Sequence, residues 1–147
     1  MAHLRTQIRD RIVTVLTGLA TTGAGVYKSR VFAVSSDNLP CILVYTGDEV
    51  SEPVNMSGDR RYERTVTVKV EALTMGVDGH DDQLDQIGLE VEAAINADVE
   101  LNGLAEDSRF ISFETDFSDQ GELPLARATI SIEVDYEHLE SDPETTA

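Results

Sequence analysis

Histidine, cysteine and clustered carboxylates are the side chains of this sequence that are most able to do chemistry. The three histidines, His3, His80 and His138, lie far apart in the chain, and Cys41 is the single cysteine. Zinc sites are built from pairs of cysteines and histidines at short spacing, and the sequence holds neither a cysteine pair nor an HExxH motif. The sequence therefore gives no support for a zinc site, and "LPCILVY" predicts that Cys41 is a small core residue.

The segment "VDGHDD" brings Asp78, His80, Asp81 and Asp82 together. These groups are suitable ligands for a hard cation, but the segment lacks the 12-residue pattern of a calcium loop. Carboxylates that open a helix also stabilise the positive end of its dipole, and Asp81 or Asp82 is expected to cap the first amides. The structural role is favoured over cation binding.

Nucleotide and hydrolase motifs are absent from the sequence. The "GAG" at 23–25 lacks the third glycine of a dinucleotide loop and precedes a strand instead of following one. Neither a GxSxG elbow nor a GxxxxGK[ST] loop occurs. We therefore predict no catalytic residues, no metal, no cofactor and no enzymatic activity.

Charge is distributed unevenly along the chain. The net charge is −17, from 28 acidic and 11 basic residues, which disfavours nucleic acid binding as the main function. Residues 1–30 nevertheless carry a net charge of +4, Arg60, Arg61 and Arg64 form a second basic cluster, and residues 78–107 hold ten acids without any Lys or Arg. This polarity suits docking between copies of the chain, and it suits a solvated acidic surface equally well.

Hydrophobic periodicity predicts two helices and five strands. The clearest alternation is in "RRYERTVTVKVEA", where valines occupy one face and Glu63, Lys69 and Glu71 the other. The predicted helices cover residues 3–17 and 81–97, and the predicted strands cover residues 26–34, 41–46, 61–73, 109–117 and 125–136. The strand at 41–46 is continuously apolar and is expected to be covered on both faces. The strand at 109–117 is expected to place Ile111, Phe113 and Phe117 on one side.

Two segments of the sequence show no hydrophobic periodicity. Residues 47–59, "GDEVSEPVNMSGD", predict a long loop that is mobile in the free subunit and ordered in an assembly. Residues 139–147 are expected to be a disordered acidic tail, which leaves residues 1–138 as a single domain. No apolar run approaches the roughly 20 residues of a membrane span, so a soluble cytoplasmic protein is expected.

Paired, alternating strands and two singly amphipathic helices predict an α+β fold. Its two layers are a mostly antiparallel β-sheet and two helices packed on one face, in the order α-β-β-β-α-β-β. The outer face of the sheet then serves either solvation or contact with another chain.

The order of these elements resembles the tail terminator, or minor tail protein U-like, family of long-tailed phages and phage-like particles. The resemblance runs from the helix "LRTQIRDRIVTVLTGL" through "LPCILVYTGDEVSE" and "RRYERTVTVKVEA" to the last strand pair, over residues 3–137. It implies a six-membered ring that caps the head-proximal end of the tail tube, stops tube polymerisation and presents the head-attachment surface. It implies no catalytic residues. The acidic stretch at 78–107 has no counterpart in the resemblance.

The resemblance also implies partners and a location. The expected partners are further copies of the chain, the tail tube protein and head–tail connector or neck proteins, with DNA only passing through the lumen and no membrane. The expected location is the virion, after assembly in the host cytoplasm. Another neck or head-completion protein, or a small cytosolic binding module, remains the alternative.

The candidate subunit-interface residues are Arg5, Arg9, Arg60, Arg61, Arg64 and Lys69. The acids of 78–107 or of the final strands are expected to line the lumen, because an acidic wall repels phosphates.

Overall fold

The computed structural model describes residues 2–28, 36–56, 58–118 and 124–147. It contains two α-helices, a short 3-10 helix and five strands in one sheet. In chain order these are α1 (Leu4–Leu16), β1 (Val26–Tyr27), the 3-10 helix (Ser36–Asn38), β2 (Cys41–Pro53), β3 (Arg61–Met75), α2 (His80–Asn96), β4 (Asp107–Ser118) and β5 (Leu125–Leu139).

The sheet has the strand order β1-β2-β3-β5-β4. Only the short β1–β2 pair is parallel, and the other three pairs are antiparallel. β3 and β5 pair along their whole length, from Arg61 opposite Leu139 to Met75 opposite Leu125. The predicted α+β class and the predicted order α-β-β-β-α-β-β are confirmed.

The core lies between the sheet and the two helices. The apolar stripe of each helix and the inward residues of β3 and β5 are almost fully buried, as the periodicity predicts. This core includes Leu4, Ile8, Ile12, Leu16, Val66, Val68, Val70, Leu84, Ile87, Val91, Ile95, Ile130, Ile132 and Val134. β2 is covered on both faces over Cys41–Val44, because Cys41 and Leu43 join Leu73 in a smaller cluster on the other side. The predictions for this strand and for Cys41 are confirmed.

The start of α2 differs from the sequence prediction. Its N-cap is Gly79, with φ of 85°, and no side chain caps the first amides. Asp81 and Asp82 lie inside the first turn, where they stabilise the helix by charge and not by capping. A glycine takes the cap position because a left-handed backbone joins the preceding turn to the helix.

The predicted loop at 47–59 is wrong over its first half. β2 continues to Pro53, and Glu49–Pro53 pairs with Tyr62–Val66 of β3. Backbone hydrogen bonds form this ladder whatever the side chains, so polar composition hid the strand. The register shifts between Thr46 and Glu49, which marks a β-bulge at Gly47 and Asp48. We call the described part of the hairpin beyond this bulge, residues 49–56 and 58–65, the arm.

β4 contains a second bulge, which the sequence did not predict. The register shifts between Phe110 and Ser112, so Ile111 is an extra residue and falls out of the alternation. Phe113 and Phe117 lie opposite core residues of β5, yet both remain nearly half exposed because β4 is the edge strand. Ile111 has no partner in this register, so the prediction that it shares their side stays a prediction.

The two chain ends lie together. The amide of Leu4 donates to the carbonyl of Pro143 at 3.0 Å, and Gln7 Nε2 donates to the carbonyl of Glu144 at 2.8 Å. The amide of Ala147 donates to the carbonyl of Glu137 at 3.1 Å. The sequence predicts disorder from residue 139, whereas the structure gives this segment backbone contacts to α1 and β5. Of the predicted strand at 26–34, only Val26–Tyr27 is assigned, and residues 29–35 lie outside the described residues.

Candidate functional site

The most concentrated polar site is a buried carboxylate at the base of the arm. The bulge at Gly47 and Asp48 turns Glu49 toward the helices, opposite Val66, and leaves its side chain only 8% exposed. Glu49 accepts hydrogen bonds from Arg5 of α1 and from the hydroxyl of Tyr136. The guanidinium of Arg64 donates to the same carboxylate at 3.2 Å. A buried charge needs such partners, because an unpaired carboxylate in the core is strongly destabilising.

The Glu49 network changes the titration of its neighbours. Burial of Tyr136 raises the pKa of its hydroxyl, and the adjacent Glu49 carboxylate raises it further. His3 has a lowered pKa, chiefly because burial disfavours its charged form and also because Arg5 and Arg64 repel a proton. Tyr136 therefore stays neutral, as a hydrogen-bond donor, and His3 favours its neutral form at neutral pH.

Aromatic rings close the network on the side of the chain ends. The imidazole of His138 lies 6.0 Å from the ring of Tyr62 and 6.2 Å from that of Tyr136, stacked on both. Its Nδ1 lies 2.6 Å from the carbonyl oxygen of Leu139 and donates to it. Its Nε2 is buried without a hydrogen-bond partner among the described residues. Arg64 also lies over the Tyr62 ring, at 5.8 Å from the centroid. These contacts fix the base of the arm to α1 and β5.

The second polar region is the outer face, the sheet face opposite the helices. Side chains pair across strands there: the Arg127 Nε atom lies 2.6 Å from a Glu71 oxygen, and Lys69 donates to Ser131 at 2.7 Å. Asp135 accepts hydrogen bonds from Thr65 and Arg109 at 2.6 Å each. Burial opposes ionisation of Asp135, but these hydrogen bonds outweigh it and lower its pKa.

Acidic side chains dominate the outer face in number. The register places eight acids and four bases on the outward positions of β3, β4 and β5. The acids are Glu63, Glu71, Asp107, Glu114, Asp116, Glu133, Asp135 and Glu137, and the bases are Arg61, Lys69, Arg109 and Arg127. Glu63 lies directly opposite Glu137, and the pKa of Glu63 is raised because its protonated form can donate a hydrogen bond to the Glu137 carboxylate, which also repels the ionised form. The face is thus an acidic surface with paired bases inside it.

The six predicted interface residues do not form one patch. Arg5 and Arg64 converge on Glu49, on the helix side of the sheet. Lys69 and Arg61 lie on the outer face, where Arg61 is 3.8 Å from Glu137. Arg60 is exposed in the arm, and Arg9 of α1 is half-buried. Their participation in a subunit interface stays a prediction.

Sequence reasoning missed Glu49 and His138. Glu49 lies within the polar segment that predicted a loop, and no periodic signal marks it as inward-facing, since a bulge sets its direction. His138 had a usable signal: the inward alternation Val134, Tyr136 continues by one more step to His138, which is 1% exposed.

The described residues define the fold class of the protein but form no metal-binding cluster. They form a small α+β protein whose buried charges pair with one another, and no three His, Cys, Asp or Glu side chains in the described ranges lie close enough to hold a metal ion. Neither helix of the described chain has the length and apolar composition that a membrane span requires.

No protein-family model and no curated protein matches this chain. A chain of the solved structure "Virion of native gene transfer agent (GTA) particle" is similar at 12% identity, with 90% of this chain and 92% of that chain covered and a TM-score of 0.35. A TM-score this low assigns neither a family nor a role.

Proposed function

We propose that this chain is a structural protein of a phage-like particle, located in the virion. More specifically, it closes as a six-membered ring on the head-proximal end of the tail tube, ends tube polymerisation and presents the head-attachment surface. The element order that carries the sequence resemblance is also the order of the folded chain. The partners are then further copies of itself, the tube protein and the neck proteins.

The observation that carries this proposal is the acidic outer face. Three long strands carry eight acids against four bases on their outward positions, on a face that neither helix covers, and all of these acids except Glu71 are at least partly exposed. Such a face suits the wall of a conduit for DNA, because it repels phosphates and leaves the duplex hydrated, whereas a basic wall binds phosphates and slows transit. In the ring the outer face therefore lines the lumen.

The distribution of bases fits the same arrangement. Arg5 and Arg64 are already engaged by Glu49 within the subunit, so their main role is to hold the arm. Arg60 and Arg61 lie on the arm, away from that network; both are exposed, and the contact of Arg61 with Glu137 is long, at 3.8 Å, so these are the basic residues best placed for contacts between subunits. Such contacts are partly screened by salt, so assembly is expected to weaken from low to moderate ionic strength.

Two measurements test the proposal. Size-exclusion chromatography with light scattering, at several protein concentrations, is expected to show a hexamer or a shift toward one. Electron micrographs are expected to show rings with a central hole, and tail tubes mixed with the protein are expected to stop growing with a ring at one end. A strict monomer that leaves tube growth unchanged contradicts the proposal. A ring that binds heads but does not cap tubes identifies instead another neck or head-completion protein.

A further inference from the structure

The arm exposes three large apolar side chains, Val50 close to its base and Val54 and Met56 near its tip. Val50 is 72% exposed, Val54 52% and Met56 85%, all within seven residues of one hairpin. Val54 also lines a hollow of about 280 Å³ with Leu139 of β5 and Arg61. Exposed apolar residues are ordinary when scattered, but a cluster of this kind on a projecting element marks a binding surface.

A second apolar surface lies where α2 meets the edge strand β4. Leu89 is 60% exposed there, and Phe113 is 45% exposed beside it. Gly88 lies under the Phe113 ring: a Cβ atom at this position would be 3.2 Å from Phe113 Cε2. Leu89, Gly88 and Phe113 line a hollow of about 340 Å³, together with the carboxylates of Asp85 and Glu92. We call this surface the α2–β4 patch.

The two surfaces are complementary in charge as well as in apolar character. Arg60 and Arg61 flank the apolar tip of the arm, whereas Asp85 and Glu92 flank Leu89 and Phe113. Charge complementarity around an apolar centre is the usual arrangement of a specific protein interface, and aromatic residues and arginines are its commonest anchors. A methionine suits an irregular hollow because its side chain is long and flexible.

The arm of one chain cannot reach the α2–β4 patch of the same chain. The arm extends from the Arg61 end of β3, whereas Phe113 of the patch lies level with Val70, because both are opposite Ile130 of β5. The nine residues from Arg61 to Val70 separate these levels by about 30 Å along the strand. The patch also lies at the β4 edge of the sheet, with β5 between β4 and β3. The occupant of the patch must therefore come from another molecule.

We infer that the arm of one copy docks on the α2–β4 patch of the next copy, with Met56 in the hollow beside Phe113 and with Arg60 and Arg61 facing Asp85 and Glu92. This contact joins two different surfaces, so it propagates head to tail and closes into a ring when the rotation between copies permits. The inference deepens the proposed ring and rests on it only for the closure. It assigns the acids of α2 to the contact between subunits and leaves those of the outer face for the lumen.

Site-directed cross-linking tests the contact. Met56→Cys and Leu89→Cys are made in separate chains, mixed in equal amounts at low salt and oxidised. Cys41 stays silent because it is buried and because burial, with Glu71 nearby, raises the pKa of its thiol to about 11. The mixture is expected to give at least ten times more covalent dimer than the matched control, in which exposed Thr14 of α1 replaces Met56 as the cysteine position.

A charge exchange adds a readout that misfolding cannot imitate. Arg60→Glu with Arg61→Glu is expected to reduce the cross-linked yield severalfold, and Asp85→Lys with Glu92→Lys is expected to do the same. Combining the reversed arm with the reversed patch is expected to restore the yield. The inference is overturned when the Met56–Leu89 yield equals the Thr14 control, or when the two reversals together are no better than either alone.

Light scattering on the same samples separates the two proposals. Rings that form without Met56–Leu89 cross-linking overturn the docking contact and leave the proposed function standing. Cross-linked open chains that never close, and that leave tail tubes uncapped, support the docking contact and contradict the proposed function.

Discussion

Glu49→Gln is the substitution that tests the buried network at the base of the arm. The glutamine keeps the size of the side chain but removes the charge that Arg5, Arg64 and Tyr136 all face. Removing one partner of a fully buried ion pair costs roughly 3–5 kcal/mol. The side chains of Arg5 and Arg64 are 41% and 20% exposed, so solvent screens the two charges that remain. We therefore expect a loss of about 2–3 kcal/mol in the free energy of unfolding.

Urea unfolding followed by circular dichroism measures this loss. With a urea dependence of about 2 kcal/mol per molar, which is typical of a domain of this size, the midpoint is expected to fall by about 1–1.5 M. Glu63→Gln is the matched control, since it makes the same chemical change on an exposed residue that faces another carboxylate, Glu137. Its midpoint is expected to stay unchanged or to rise. A Glu49→Gln protein as stable as the parent refutes the view that this network holds the arm.

Three further predictions follow from the faces of the sheet and from α2. Val68→Asp is expected to unfold the domain because it places a charge in the core, whereas Thr67→Asp, one residue away on the outer face, is expected to stay folded by circular dichroism. Asp135→Asn is expected to lower stability at neutral pH and to remove part of the acid dependence of the urea midpoint. The reason is that a carboxyl with a lowered folded pKa contributes stability above its unfolded pKa, about 4, and loses it as pH falls through the lower folded value. Gly88→Ala is expected to leave stability unchanged or to raise it by up to about 1 kcal/mol through helix propensity, yet to reduce the Met56–Leu89 cross-linking severalfold, because the new methyl group displaces Phe113 into the hollow. A fall in both the stability and the cross-linked yield would contradict the view that Gly88 acts on docking by leaving room for the Phe113 ring.

The fold was largely predictable because hydrophobic periodicity reports burial directly. The alternating valines of β3 and the i, i+4 stripe of α1 identified both core layers, and the helix ends fall within one residue of the prediction. Periodicity failed to predict the sheet face of a residue wherever a β-bulge interrupts the alternation of side chains. Glu49 faces inward because of one bulge, and another bulge leaves Ile111 without a partner on β5.

The candidate site was much less predictable than the fold. Basic residues were identified from clustering in the sequence, but clustering does not say which arginines are consumed by internal pairs. Arg64 and Arg61 are three positions apart on β3, so strand alternation already places them on opposite faces, Arg64 toward Glu49 on the helix side and Arg61 toward Glu137 on the outer face. What the sequence does not show is that a buried carboxylate, Glu49, meets Arg64 there, because this contact forms only once the hairpin is folded.

The bulge at Gly47 and Asp48 also sets which face of the sheet each residue of the arm occupies. Side chains alternate along a strand, so one extra residue exchanges the two faces of everything that follows it. The two residues of this bulge lie opposite Thr67 alone, so Thr46 and Glu49 both face the helices although they are three positions apart. Deleting Gly47 would leave one residue opposite Thr67 and restore a regular ladder, in which Glu49 still lies opposite Val66 and faces inward. A second deletion in the same stretch would instead put Glu49 opposite Thr67 and turn it toward water. What makes this hairpin a usable surface is thus a count of residues as much as their identity.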